Sequence, residues 1–574
     1  MIHCTISYEK PHQHWLNIEL TFSGLTDETT YLQLPSWRPG RYELGNFAKN
    51  IQRFSITNNK GEVVPFRKTT KDRWEVNTVD TDTLKVSYNY YAAELNAGST
   101  YLDDEQLYIN FVNCILYQEG HTEEPYLVHL QLPNDYQVAC GLKNPESHTL
   151  EAPSFYHLAE SPLIASPTLT HWEYQVGDHR FHLWFQGNCV MDEQTTLDRF
   201  RAFTEDQIQM MGEFPAEDYH FLYHFLPYRA YHGVEHFNST VIALGPSEQI
   251  VENSKPYLDF LGVSSHELFH TWNIIRIRPK EMFPYDYTRE NYFPTGFIAE
   301  GVTTYYGDLF LVRSGVITKE EYFLELNKLF KRHFENFGRF NHSLVDSSFD
   351  LWLDGYSLGI PNRKVSIYVK GAMVSLILDL SLRNNTDQEH SLDTFMRYLW
   401  DFFGKAQRGY TLGDLEKLVG DLSGGQMDTY FERFIYGKEP LEITLNQLLY
   451  TVGCRLDITE NALHSEGRFG FRAVNIEQKW IIQGIEPGSV ADDFLALNDE
   501  IVAINGIHIQ DSLEELLVGQ EEVVVTLLRN QKLKTISLPR RDDLYYKVYT
   551  IAQRDNATEE EKAAFQHWLG CNWQ

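Results

Sequence analysis

The chain has 574 residues, a hydrophobic fraction of 43%, an aromatic fraction of 14% and a formal net charge of -31. Length and composition predict a folded protein of roughly four domains and exclude wholesale disorder. The acidic balance excludes a nucleic-acid partner, because no basic excess exists to displace counterions from phosphates, and it excludes docking on an anionic membrane surface.

Residues 1 to about 190 predict β structure. Leu16, Ile18, Leu20 and Phe22 alternate with polar neighbours, as do Leu84, Val86, Tyr88 and Tyr90, then Val128, Leu130 and Leu132, then Phe181, Leu183 and Phe185. Period two over many short segments predicts an antiparallel sandwich or saddle-shaped sheet. The segment Leu34-Pro35-Ser36-Trp37-Arg38-Pro39-Gly40-Arg41-Tyr42 interrupts the pattern. Its prolines and Gly40 read as a packed structural loop rather than a catalytic one. From about 193, Leu197, Phe200, Ile208 and Met211 lie at helical spacing, and strands are predicted over Tyr219 to Pro227 and Ser239 to Gly245. Between those strands lies Tyr231-His232-Gly233-Val234-Glu235-His236. Glu235 reads equally well as part of a solvated turn or as a buried carboxylate that needs a partner.

A helix is predicted over about 255–272, and it carries His266-Glu267-Leu268-Phe269-His270. Imidazoles at i and i+4 leave one helix face a turn apart, which suits a tetrahedral zinc ion with room for a third ligand and a water. Glu267 is then placed to take a proton from that water. A third ligand must be a carboxylate or imidazole on rigid structure. Glu281, Asp286, Glu290, Glu300 and Asp308 are the nearby candidates. Glu300 is favoured because it opens an otherwise apolar helical segment, with Asp308 as an outer partner.

Residues 318 to about 440 predict mostly helix, with Thr318 to Glu321 as a capping box. Tyr368, in Tyr368-Val369-Lys370-Gly371, reads by itself as a core tyrosine. Gly, Ser and Pro mark a boundary near 422–445, and 453–541 reads as a small β-rich module. Asp511 with Glu514 is expected to cap a short helix inside it. An amphipathic helix over about 558–570 closes the chain. The six cysteines lack CxxC or zinc-ribbon spacing and read as free thiols of a reducing compartment. Met1 to Ser7 shows no signal-peptide pattern, and no long apolar run occurs, so a cytoplasmic location is expected.

Together these motifs resemble the glycyl aminopeptidase family, gluzincin zinc metallopeptidases with a C-terminal PDZ domain. The resemblance rests on Trp37-Arg38-Pro39-Gly40, on His266 to Asn273 followed by Arg276-Ile277-Arg278-Pro279, and on Glu300-Gly301 with Tyr305-Tyr306. It implies an α+β multidomain fold. The expected parts are an N-terminal β domain over 1–170, a thermolysin-like catalytic subdomain over 171–315, a helical part over 316–445, a PDZ-like domain over 453–545 and a helical tail over 546–574. It implies one zinc ion on His266, His270 and Glu300, with Glu267 as general base. By similarity to the alanyl-type aminopeptidases, it implies that Glu235, flanked by Gly233 and His236, binds the substrate amine and that Tyr368 stabilises the oxyanion. Arg468-Phe469-Gly470-Phe471 resembles the carboxylate-binding loop of PDZ domains, which implies a peptide C-terminus as a second partner. In the turn Leu497-Asn498-Asp499, Asn stands where Gly is usual, and Asn tolerates the left-handed conformation required there. The activity implied is release of N-terminal residues, glycine or alanine, from peptides. A zinc endopeptidase and a non-catalytic peptide-binding scaffold are the alternatives.

Overall fold

A computed structural model describes residues 1–357 and 359–573. The chain is a multidomain α+β protein with a β-rich N-terminal part and a largely helical catalytic region. The alternating segments near the N-terminus do form strands. A seven-stranded sheet runs in the order Lys143–Glu146, Thr149–Ala152, Tyr126–Leu130, Ile2–Ser7, Trp15–Ser23, Thr83–Tyr91, Ile51–Asn58. It is not wholly antiparallel, because Ile2–Ser7 pairs parallel with Tyr126–Leu130. The long excursion between those two strands supplies the crossover that parallel pairing requires. Leu16, Ile18, Leu20, Val86, Tyr88 and Val128 all face one buried core.

That core does not stop at the N-terminal part. It also takes in Tyr285, Tyr287, Phe293, Ala299 and Ile367 from the catalytic region. Trp37 is the pin. Its Nε1 donates to the Asp286 carbonyl at 2.8 Å, and its ring meets the edges of Tyr285 and Trp352. The proline-rich link between the zinc-motif helix and Glu300 is thereby laid down on the N-terminal part.

The catalytic region opens with a five-stranded sheet in the order Thr170–Val176, His179–Gly187, Asp218–Phe225, Ser239–Gly245, Ala230–Glu235. Its inner strands are parallel and both edge strands run antiparallel. One face carries Phe181, Leu183, Phe185, Tyr219, Phe221 and Tyr223 into the main helical core. Helix Lys255–Phe269 packs there, started by Ser254, whose side chain accepts from the Tyr257 N–H. The capping box Thr318/Glu321 opens helix Lys319–Phe334 as expected.

The C-terminal strands Phe471–Ile476, Lys479–Ile485, Glu500–Ile504, Glu522–Arg529 and Lys532–Pro539 form one sheet with its own apolar core. Asn498 adopts φ +68°, the left-handed conformation expected of it. The short helix in this module is capped by Ser512 instead of Asp511, one residue later than expected. The final helix, Glu559–Leu569, returns to the catalytic helices. Trp568 Nε1 donates to the Tyr305 hydroxyl at 2.9 Å, and Arg313 Nε donates to the Trp568 carbonyl at 3.0 Å. All six cysteines are unpaired. Among the described residues, no helix is long and apolar enough to cross a membrane.

Candidate metal and peptide site

Helix Lys255–Phe269 ends one residue before His270, which caps it in right-handed helical conformation. The i, i+4 relation holds, and the two imidazoles converge, His266 Nε2 lying 3.0 Å from His270 Nε2. Buried polar contacts fix the helix rotation. Gln207 Nε2 donates to the Ser265 carbonyl, Ser265 Oγ to the Gly307 carbonyl, and Tyr223 and Ser264 hydroxyls meet at 2.8 Å.

Glu300 sits in a π-helical turn, Phe297–Val302, that runs into helix Thr303–Arg313. Such turns are uncommon and concentrate at functional sites. Its Oε2 lies 3.5 Å from His270 Nε2 and 3.9 Å from His266 Nε2. Asn273 explains how 29 intervening residues still bring Glu300 to the histidines. Its backbone carbonyl accepts from His270 Nδ1 at 2.6 Å, while its Nδ2 donates to the Ile298 carbonyl at 2.9 Å and the Thr303 hydroxyl at 3.0 Å. One side chain thus ties the end of the motif helix to the turn bearing Glu300. Gly301 and Gly371 let that turn pack backbone to backbone with the next helix, since a Cβ on Gly301 would stand 2.5 Å from the Gly371 Cα.

Glu281, Asp286 and Glu290 do not join the cluster, whereas His266, His270 and Glu300 offer ligand atoms within 4.8 Å of one another. The donor set fits a divalent metal ion. With His270 Nδ1 held by the Asn273 carbonyl, Nε2 is the nitrogen that faces the centre. Burial, reinforced by His270, holds His266 well below the usual imidazole range and hence neutral, the ligating form. Asp308 is not the outer partner of either imidazole. Asn273 supplies a backbone carbonyl to one, and the Thr303 carbonyl faces the other. Asp308 instead lines the same cavity as His266 and Glu267, against Gly262.

Glu267 lies on the same floor. Its Oε2 is buried and has no hydrogen-bond partner among the described residues. Burial, then the neighbouring carboxylates of Glu235 and Glu300, push its carboxyl up to about 8 against the opposing pull of His270. Glu235 closes the edge strand Ala230–Glu235, its backbone opposite Thr240, and it is buried. Burial raises it to about 7; Glu300 and Glu160 add to the rise and His270 opposes it. Glu235, Glu267 and His270 form a second cluster within the same 4.8 Å span. Carboxylates packed this closely repel one another unless a cation or protons intervene, and a divalent ion reverses that balance.

Gly233, two residues before Glu235, faces the Glu267 carboxylate. Tyr368 sits immediately before helix Val369–Asn385 and shares a cavity of about 1290 Å³ with Gly233, His266 and Glu267. Burial pushes its phenol up, and Glu300 heads the charges that add to the rise. His236, which follows Glu235, is buried with Nδ1 3.8 Å from Glu160 Oε2.

The Trp37 loop corrects the reading of it as structure alone. Gly40, at φ +75°, lies so close to Glu235 that a Cβ there would stand 2.8 Å from Oε2. Arg38 is buried nearby, and Tyr42 donates its N–H to the Tyr356 hydroxyl at 3.3 Å. The N-terminal part therefore supplies one wall of the site. The hint in the sequence is that Trp37-Arg38-Pro39-Gly40 belongs to the motifs that carry the family resemblance. The Arg468-Phe469-Gly470-Phe471 loop is also at variance with its expected role. The N–H groups of Arg468 and Phe469 donate to the His464 carbonyl and that of Gly470 to the Glu466 carbonyl, so these amides are already spent within the chain.

Residues 3–167 match the Peptidase M61 N-terminal domain, and residues 259–374 match the M61 glycyl aminopeptidase domain. No curated protein matches the sequence. Among solved structures, an aminopeptidase N family protein from Idiomarina loihiensis is similar over 99% of this chain and 100% of its own, with 27% identity and a TM-score of 0.91. An M1 zinc metallopeptidase from Deinococcus radiodurans aligns with 76% of this chain and 94% of its own, with 15% identity and a TM-score of 0.49.

Proposed function

Because this chain belongs to the M61 glycyl aminopeptidase family, we propose that it is a zinc-dependent aminopeptidase releasing small N-terminal residues, glycine or alanine, from peptides. His266, His270 and Glu300 would hold one zinc ion through two imidazole Nε2 atoms and a carboxylate oxygen. When bound, zinc supplies the Lewis acidity that polarises the scissile carbonyl and acidifies water. Glu267 accepts a proton from the attacking water and returns it to the leaving amine as the C–N bond breaks. The Tyr368 hydroxyl donates to the carbonyl oxygen as negative charge develops there. Glu235 accepts from the substrate ammonium, which aligns the first peptide bond with the base. Gly233 keeps the floor clear for Glu267, and Gly40 narrows the space beside Glu235, which supports a small first residue.

The observation that carries this reading is the clustering of Glu235 with Glu267 and His270 within 4.8 Å, beside the triad of ligand atoms. A zinc site that cuts internal bonds has no use for this further buried carboxylate. One observation favours the endopeptidase alternative. A second cavity, of about 590 Å³ beside the C-terminal module, shares Lys255, Leu258, Glu321 and Lys328 with the first and extends the space for peptide. Aminoacyl amides and short peptides with free and acetylated N-termini separate the two. Hydrolysis limited to free amines, lost on chelation and restored by zinc, supports the aminopeptidase. Equal rates on both series support the endopeptidase. In the C-terminal module, the spent amides of the Arg468 to Phe471 loop support no capture of a peptide C-terminus.

A further inference from the structure

The five-stranded sheet carries a second set of metal-ligating side chains at the edge opposite Glu235. Thr170–Val176 and His179–Gly187 form a hairpin in which Glu173 is directly opposite His182 and His171 is opposite Trp184. Side chains alternate across a strand, so His171, Glu173 and His182 share the face turned away from the helical core. His171 Nε2 lies 3.0 Å from His182 Nδ1, and Glu173 Oε2 lies 3.7 Å from the same Nδ1. All three offer a ligand atom within 4.8 Å of one another.

Two features distinguish this cluster from a chance grouping. The far nitrogen of His182, Nε2, lies 3.3 Å from Asp218 Oδ1, and Arg180 Nε holds that carboxylate at 2.8 Å. A carboxylate behind an imidazole fixes the proton on the far nitrogen, leaves the near lone pair free and raises ligand basicity. Both rings are also held in place by stacking. His171 lies on Trp184 at 3.8 Å and 16°, and His182 on His220 at 4.6 Å and 15°. Two imidazole nitrogens on one tetrahedral ion are about 3.3 Å apart given usual zinc–nitrogen bond lengths. The pair therefore needs to open only slightly. Glu173 is 63% exposed, so it can swing in as an oxygen ligand, with water completing the shell.

We propose that His171, His182 and Glu173 form a second metal site for a borderline divalent transition-metal ion such as zinc, which clips edge strand Thr170–Val176 to its neighbour. The site is three to four strand spacings from the strand of Glu235, about 14–19 Å, and is separate from the peptide site. Its partly exposed ligands give it lower affinity than the buried triad. It fills at higher free zinc than the site on His266, His270 and Glu300 and empties first on dialysis.

The test is equilibrium dialysis of the full zinc-loaded chain against rising free zinc, with metal content read directly and peptidase rate read alongside. Wild type should pass from one zinc per chain to two. His182→Ala and His171→Phe, the latter keeping the stack on Trp184, should stop at one with the peptidase rate unchanged. Asp218→Asn should weaken only the second step, by about 10–100-fold. His266→Ala should lose the first ion and retain the second. A wild type that saturates at one zinc, or a second zinc that survives both histidine substitutions, overturns the proposal and leaves a His171–His182 hydrogen bond.

Discussion

Gly233 and Glu267 approach so closely that a Cβ on Gly233 would stand 2.1 Å from Glu267 Oε1. The glycine is there to leave room for the carboxylate, since the nearest obstacle to a side chain is the proposed base itself. Gly233→Ala should push Glu267 aside and cut kcat/KM by about 10²-fold, the scale of a misplaced catalytic group. Zinc content and melting temperature should change little, because Glu267 is not a proposed ligand. Undiminished turnover would remove Glu267 from the position of base.

Glu267 and Glu300 are both buried carboxylates near the same two imidazoles, and substitution separates their roles. Glu267→Gln should keep zinc and abolish nearly all turnover. Glu300→Gln should weaken zinc binding itself, because an amide oxygen is a poorer ligand than a carboxylate. Metal content after dialysis, measured on both variants, distinguishes them. Retained zinc in Glu300→Gln shifts the third ligand to another group.

Tyr368→Phe removes one hydroxyl and no volume. A donor aimed at a developing oxyanion is worth about 10²–10³ in kcat. The fall should appear in kcat, with KM and melting temperature close to wild type. A large loss of stability with normal specific activity would return Tyr368 to a packing role.

Glu235 decides between exo- and endopeptidase. Glu235→Ala should lower kcat/KM on free-amine substrates by about 10²-fold or more, since a shielded carboxylate–ammonium pair works mainly by positioning. Already slow hydrolysis of N-acetylated analogues should be untouched. Equal losses on both substrates would assign Glu235 to the fold or to the surroundings of the metal.

Asp308 has a pH signature. Burial pushes its carboxyl up to about 7; Glu325 and Asp259 add to the rise and Lys328 opposes it. A folded value above the ordinary one means that the folded chain holds an extra proton between about 4 and 7, so this group's contribution to stability is lost as pH rises through that window. Asp308→Asn removes the titration. The melting temperature of the variant relative to wild type should climb from pH 4 to 7 and level off above. A difference independent of pH would mean that Asp308 titrates as an ordinary surface carboxylate.

The local parts of the site were legible in the sequence because they rest on short-range periodicity. His266 and His270 had to share a helix face, Ser239 to Gly245 had to be a strand, and Thr318 with Glu321 had to open a helix. Glu300 was favoured on a local ground as well, an acidic residue in an apolar helical opening. The tertiary structure alone decided which distant groups meet. Asn273 bridges His270 to the Glu300 turn, and the Trp37 loop sets Gly40 against Glu235 across nearly two hundred residues of chain. Asp308 lines the same cavity as His266 and Glu267 without partnering either imidazole, because sequence spacing does not say which side chain a carboxylate meets. The Arg468 to Phe471 loop shows the limit from the other side. Its spelling matches a carboxylate-binding turn, but backbone amides can be spent on neighbouring carbonyls, and only the folded path of the chain decides that. Helical and strand periodicity are properties of neighbours along the chain, whereas a catalytic floor is made where separate elements are forced together by a common core.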